Sequence, residues 1–219
     1  GLVNGNDTWW YVTGSKVNFC NTVASNACGW WKITNGRVDF DFSGLAENAY
    51  GWWKITNGQV DFSYVGYEQN GSNWWYVYGG QVCFQATDVL PGTVGGQYGW
   101  WKVCEGKVNF DDDVCENAYG WWKITTGKVD FQYTGLAQNA CGWWMIQNGH
   151  VNFGSNGLVD NGNGWWLVKN GGVDFDYNGL VDNGNGWWLV KNGCVDFSYQ
   201  GYVQNECGVW WVSNGQVQF

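Results

Sequence analysis

Twenty tryptophans in ten adjacent pairs are the residues best equipped for recognition in this 219-residue chain. The pairs begin at Trp9, Trp30, Trp52, Trp74, Trp100, Trp121, Trp143, Trp165, Trp187 and Trp210. An indole face attracts a cation through the ring quadrupole, and a nearby carboxylate adds charge. Asp39 or Asp41 stands a few residues from Trp30, and Asp61 from Trp52, a combination that suits a quaternary ammonium group. The same flat rings stack on sugar faces. The candidate ligand-binding set is therefore Trp9, Trp30, Trp52, Trp74, Trp100, Trp121, Trp143, Trp165 and Trp187, with Asp39 and Asp61. The competing expectation is that each leading Trp simply packs against the next repeat or its connector.

Acid–base chemistry has little material here. His150 is the only histidine, and no nucleophile motif or phosphate-cradling glycine loop accompanies it. No catalytic residue and no cofactor is assigned, and the chain is read as non-enzymatic. Lys32, Lys54 and Lys123 oppose Asp39, Asp61 and Asp130 across their hairpins, which predicts surface ion pairs of small energetic value. Asp111-Asp112-Asp113 and the Asp160-Asn161-Gly162 and Asp182-Asn183-Gly184 segments lack the ligand spacing of a calcium loop, and turn chemistry explains the last two. The eight cysteines contain no Cys-x-x-Cys pair, which argues against zinc. Their even number is compatible with disulfides; Cys20 and Cys28, flanking one connector, form the candidate local bridge.

A formal charge of -9 removes nucleic acid from the partners, because phosphate binding needs a basic face. It favours neutral or cationic ligands over polyanions. No apolar run is long enough to span a membrane as a helix.

The elements that must position these side chains follow from the repeat. A Val-x-Phe triplet closes each unit, ending at Phe19, Phe40, Phe62, Phe84, Phe110, Phe131, Phe153, Phe175, Phe197 and Phe219, with a spacing of 22 residues in most cases. Asn-Gly, or a substitute that retains Gly, sits between two β-rich runs, the strongest local signal for a two-residue type I′ hairpin. In the second unit that turn opposes Ile33 to Val38 and Trp31 to Phe40, placing all four on one apolar face. Trp30, Lys32 and Asp39 fall on the other, more variable face. In the tenth unit the Trp pair is slipped by one, so Trp210 takes the inner site and Trp211 an outer one. One hairpin cannot bury a face alone, so the units must stack. The predicted fold is all-β, a solenoid of ten hairpin repeats, with Gly-Leu segments such as Gly44-Leu45 turning the corner between hairpins. Residues 1–84 hold four repeats, 85–99 an irregular connector with the only proline, and 100–219 six repeats, in one continuous repeat domain.

Trp30-Trp31-Lys32-Ile33, Asn35-Gly36 and Val38, and their counterparts in every unit, resemble the aromatic repeats of Gram-positive cell-wall-binding modules, the choline-binding and glucan-binding families. The likeness is closer still to a Trp-Trp-x-Val-x-Asn-Gly-x-Val-Asp-Phe repeat of bacterial surface proteins. The resemblance implies hairpins whose aromatic side chains line sites for choline or sugars, and a secreted or cell-surface location. The partner it implies is a cell-wall polymer or glycan; a host protein bound by an adhesin surface, or a passive spacer, is the alternative.

Overall fold

The structure, a computed structural model, describes residues 1–6 and 8–219. It falls into two compact units, Gly1–Phe110 and Asp111–Phe219, which hold the first five and the last five repeats. Every regular element among the described residues is a β-strand.

Each repeat contributes three antiparallel strands rather than two. In the third repeat these are Gly44–Asn48, Gly51–Thr56 and Gln59–Val60. The short third strand pairs as the turn chemistry requires: Ile55 opposes Val60, and Thr56 opposes Gln59. Asn57 and Gly58 between them both have positive φ, 48° and 79°. The first repeat uses Gly14 and Ser15 for the same turn, at 55° and 64°.

The Gly-Leu segments are not corners. Gly44 opens a strand that lies along the Trp strand, with Gly44 opposite Ile55, Leu45 opposite Lys54, Ala46 opposite Trp53 and Glu47 opposite Trp52. Polar Glu-Asn composition disguises it, because its hydrogen bonds are what it contributes. Residues 85–99 carry the strand Asp88–Val94 and the start of the strand Gln97–Cys104, which together make the longest hairpin of the first unit.

Repeats join by a backbone staple. The central strand of one repeat pairs with the short third strand of the next, as in Trp31 opposite Gln59 and Trp53 opposite Gln81. The turn of the later repeat also docks on the earlier one: Lys32 N–H donates to Gly58 O, while Gly58 N–H donates to Phe42 O at the start of its own repeat, both at 2.8 Å.

The core sits between successive repeats and uses both faces of each. One face presents the trailing Trp, the β-branched residue and the Val, and this set is buried: Ile33, Ile55, Ile124 and Ile146 are fully sealed. That face packs on the opposite side of the preceding repeat, so Trp75, Val77 and Val82 meet Leu45 and Trp52, with Tyr64 beside them. The expectation of one inner and one outer face is therefore corrected. Within a unit, stacking gives each interior repeat two neighbours, and each side of its sheet is covered by one of them.

Phe40 and its counterparts depart from the predicted inward set. Phe40 is 46% exposed and Phe62 50%. The short strand ends at Val60, and the chain turns at once, with Tyr64 N–H donating to Asp61 O at 3.2 Å and Ser63 N–H donating to Asp61 Oδ1 at 3.0 Å. Strand alternation stops before the Phe, which is left at the rim. The tenth repeat agrees with the slipped assignment: Trp210 is half-buried, Trp211 exposed and Val212 fully buried.

Candidate aromatic sites at the repeat junctions

Five junctions within the units bring three rings together: the leading Trp of one repeat, and the trailing Trp and Phe of the next. Trp30 lies 5.0 Å from Trp53 and 6.0 Å from Phe62, while Trp53 and Phe62 are 5.8 Å apart. Trp52, Trp75 and Phe84 repeat the arrangement at 5.2, 5.7 and 5.3 Å. In the second unit it recurs at Trp121, Trp144 and Phe153, at Trp143, Trp166 and Phe175, and at Trp165, Trp188 and Phe197. Trp9 meets Trp31 at 5.2 Å, Trp187 meets Trp210 at 6.1 Å, and Trp74 packs against the cluster that contains Trp101. Trp100 is half-buried on its strand.

The leading indoles are thus half-buried members of an inter-repeat layer and not free outer rings. Edge-to-face contacts at these spacings fill the middle of each triad. A ligand would sit on the rim, where the Phe ring is open and the indoles keep part of their surface. Beside the Trp52 triad, and sharing only Trp52 with it, a cavity of about 300 Å³ is lined by Glu47, Phe42, Lys32 and Leu45 among others, close to the lower limit of small-ligand pockets.

The carboxylate beside a leading Trp is not the one the sequence offered. Asp61 accepts from the Ser63 hydroxyl at 2.6 Å as well as its amide, and Asp39 Oδ2 accepts from the Thr34 hydroxyl at 2.9 Å. Both shape turns. The acid that reaches an indole is Glu47, directly across the sheet from Trp52, whose Nε1–H donates to Glu47 Oε2 at 2.8 Å. The same cross-strand position holds Glu116 opposite Trp121, Asp160 opposite Trp165 and Asp182 opposite Trp187. The signal lay in the first strand, five residues before each leading Trp, and was invisible while that segment read as a connector.

The trailing indoles are held by a second recurring residue. Asn48 Oδ1 accepts from Trp53 Nε1–H and from Tyr50 N–H, both at 2.9 Å, while its Nδ2 donates to Val23 O of the preceding repeat at 3.1 Å. Asn139 does the same for Trp144, Cys141 and Val114. One amide closes a turn, orients a ring and ties two repeats.

The lysines also differ from expectation. Lys54 pairs with Glu68 at 2.8 Å rather than with Asp61, and its ammonium stands 5.3 Å from the Tyr64 ring centroid. Lys123 is buried, donates to Ile124 O at 2.6 Å and lies 3.5 Å from Asp112. Burial lowers the pKa of Lys32, partly offset by Asp39 and Cys20. These cations line the junction layer, so they are not surface pairs. The Thr126 amide and Lys123 hold the Asp112 carboxyl below the usual range.

Asp160 and Asp182 each accept an amide two residues on, from Gly162 and Gly184, in Asx-type turns. Among the described residues no three His, Cys, Asp or Glu side chains cluster as metal ligands. His150 packs edge-on against Trp122 at 4.9 Å. None of the eight cysteines is disulfide-bonded in the structure. Cys20 and Cys28 stand beyond opposite ends of the strand Thr22–Asn26, which alone spans roughly 13 Å. A disulfide needs Cα atoms within about 7 Å, so this pair is not bridged.

The sequence profile of the choline-binding repeat matches residues 1–18, 41–61, 63–83, 132–152, 154–174 and 176–196, more than half of the chain. The chain belongs to the choline-binding repeat family. No curated protein matches it in sequence. Among solved structures it is similar to CbpJ from Streptococcus pneumoniae TIGR4, with 13% identity and a TM-score of 0.35 over 100% of this chain and 94% of that one. It is similar to choline binding protein F from Streptococcus pneumoniae, with 15% identity and a TM-score of 0.38 over 96% of this chain and 77% of that one. The modular autolysin LytC from the same organism shares 14% identity at a TM-score of 0.37, and this choline-binding-repeat chain spans 52% of it. No helix is long and apolar enough to cross a membrane.

Proposed function

We propose that the chain is a non-catalytic, extracellular binding module that engages choline-bearing cell-wall polymers at the rims of its junction triads. The recurrence of one three-ring arrangement, open on the Phe side, carries this reading. A trimethylammonium group has no N–H to donate, so ring faces and a carboxylate are the chemistry it needs, and Trp52, Phe42 and Glu47 supply both in the cavity beside one triad. Single sites of this kind are weak, and repetition along a polymer converts weak sites into avidity. Asp39, Asp61, Glu47 and Glu68 are engaged in turns, an indole hydrogen bond or an ion pair, which supports binding over catalysis.

Retention on a choline-derivatised matrix, followed by elution with free choline, tests the proposal. Glu47→Gln together with Phe42→Leu should weaken retention while preserving the fold. Passage of the wild-type chain straight through the matrix, or elution unaffected by choline, would refute it.

A further inference from the structure

The trailing indoles have a second neighbour, on the side where the next repeat pairs its short strand, and eight described registers show what that neighbour is. Arg37 stands 4.8 Å from the Trp10 ring, Lys107 5.0 Å from Trp75, and His150 4.9 Å from Trp122. Gln59, Gln81 and Gln216 take the position opposite Trp31, Trp53 and Trp188, and Cys194 takes it opposite Trp166. Two of the glutamines also reach a backbone carbonyl at the preceding turn: Gln59 Nε2 donates to Cys28 O at 3.3 Å and Gln81 Nε2 to Tyr50 O at 2.9 Å. Cys194 apart, the slot therefore takes a flat or cationic group that carries N–H donors.

One register leaves it empty. Opposite Trp144 stands Gly172. The glycines before the Trp strands report the same vacancy independently. A Cβ on Gly29, Gly51, Gly120 or Gly186 would collide with Gln59, Gln81, His150 or Gln216, whereas one on Gly142 meets nothing within 4 Å. A cavity of about 290 Å³ lined by Trp144, Gly172, Asp174 and Lys169 with their neighbours lies beside it, where the equivalent cavities of other repeats carry His150 or Arg37 in place of the glycine. Asp174 lies two residues from Gly172 and so on the same face of the strand. The carbonyl equivalent to those of Cys28 and Tyr50 belongs to Cys141.

We propose that the slot over Trp144 binds a guanidinium group from outside the chain. Guanidinium does both things the resident side chains do: it stacks on the indole as Arg37 does and donates N–H groups to a turn carbonyl as Gln81 does. Asp174 adds a carboxylate at the cavity wall, as Asp39 does beside Arg37. This site is distinct from the junction rims and does not depend on choline binding.

Titration of the intact chain with methylguanidinium, read by the indole N–H resonances, tests the assignment. A saturable shift of Trp144 at millimolar concentration is expected, with tetramethylammonium at least tenfold weaker for want of N–H donors. Gly172→Gln fills the slot from within and should abolish the shift. This variant is compatible with the fold, because a Cβ at Gly172 makes ordinary contacts of 3.6 and 3.8 Å with the Trp144 ring and its φ lies outside the left-handed region. Gln59→Gly should open a second slot, at Trp31. Tighter binding of a blocked arginine than of methylguanidinium would assign the slot to an arginine side chain of a protein; equal binding would assign it to a small guanidinium compound. A Trp144 shift that survives Gly172→Gln, or one no larger than those of Trp31 and Trp53, overturns the proposal.

Discussion

Replacing Gly58 by Ala probes the staple between repeats. The residue has φ of 79°, and an added Cβ would stand 2.5 Å from Asp39 O and 2.6 Å from Phe40 Cα. The left-handed conformation alone costs an L-residue about 1–2 kcal/mol. Relieving the overlap means parting two backbones. That loosens the Gly58-to-Phe42 and Lys32-to-Gly58 hydrogen bonds, each worth about 0.5–1.5 kcal/mol. The expected loss is about 2–5 kcal/mol from these terms together, a large fraction of a typical stability. Gly71→Ala is the control: its φ is 62°, but nothing lies within 4 Å of the added atom. It should cost only the conformational part, about 1–2 kcal/mol. Urea titration followed by tryptophan fluorescence measures both, and hydrogen exchange at the Lys32 amide reports the local opening. Equal destabilisation by the two variants would show that the docked turn contributes nothing beyond backbone conformation.

Asn48→Ala removes the acceptor of the Trp53 indole and the donor to Val23 and should cost about 2–3 kcal/mol in the same titration, whereas Asn48→Asp retains the acceptor and should cost less. Ile55→Ala empties a fully sealed site and should cost about 2–5 kcal/mol by thermal or urea unfolding. The Asp196 carboxyl is held below its ordinary value by the Ser198 hydroxyl at 2.6 Å and by Lys191 at 3.0 Å, so its stabilisation is present above the usual carboxylate range and lost as pH falls through the lowered folded value. Ser198→Ala should move the Asp196 midpoint upward in an NMR titration, and an unmoved midpoint would assign the shift elsewhere.

The period, the hairpin and half of the core were legible because each leaves a local mark. Asn-Gly demands positive φ twice, and Ile33 and Val38 alternate with polar residues over a single two-residue turn. The first strand was not legible: Gly-Leu-Ala-Glu-Asn offers one large apolar side chain, and its role is to hydrogen-bond a strand that already looked complete. The second buried face did leave a signal in the eighth and ninth repeats. There Leu167 and Leu189 replace the lysine beside Trp165 and Trp187, and both are buried. A residue that becomes Lys, Tyr, Met or Leu without penalty is one whose stem packs while its tip finds the rim. The exposed Phe could not be foreseen from alternation, because Asp61 ends the strand through a side-chain bond that no periodicity encodes. The Lys54–Glu68 pair joins residues of different repeats, which only stacking brings together.

Within a unit, each repeat hands its hairpin tip back to its predecessor and its leading indole forward to its successor. Such a block carries one plug and one socket, and the plug of any copy matches the socket of any other. Residues 157–171 and 179–193 differ at no position, the mark of a block copied whole. A gene of this kind lengthens or shortens by in-frame exchange without inventing a new core, whereas a point change at a contact is felt by two blocks at once. Gly172 is replaced by Cys194 at the matching place in the copy, so the two blocks differ at the slot while the framework stayed the same.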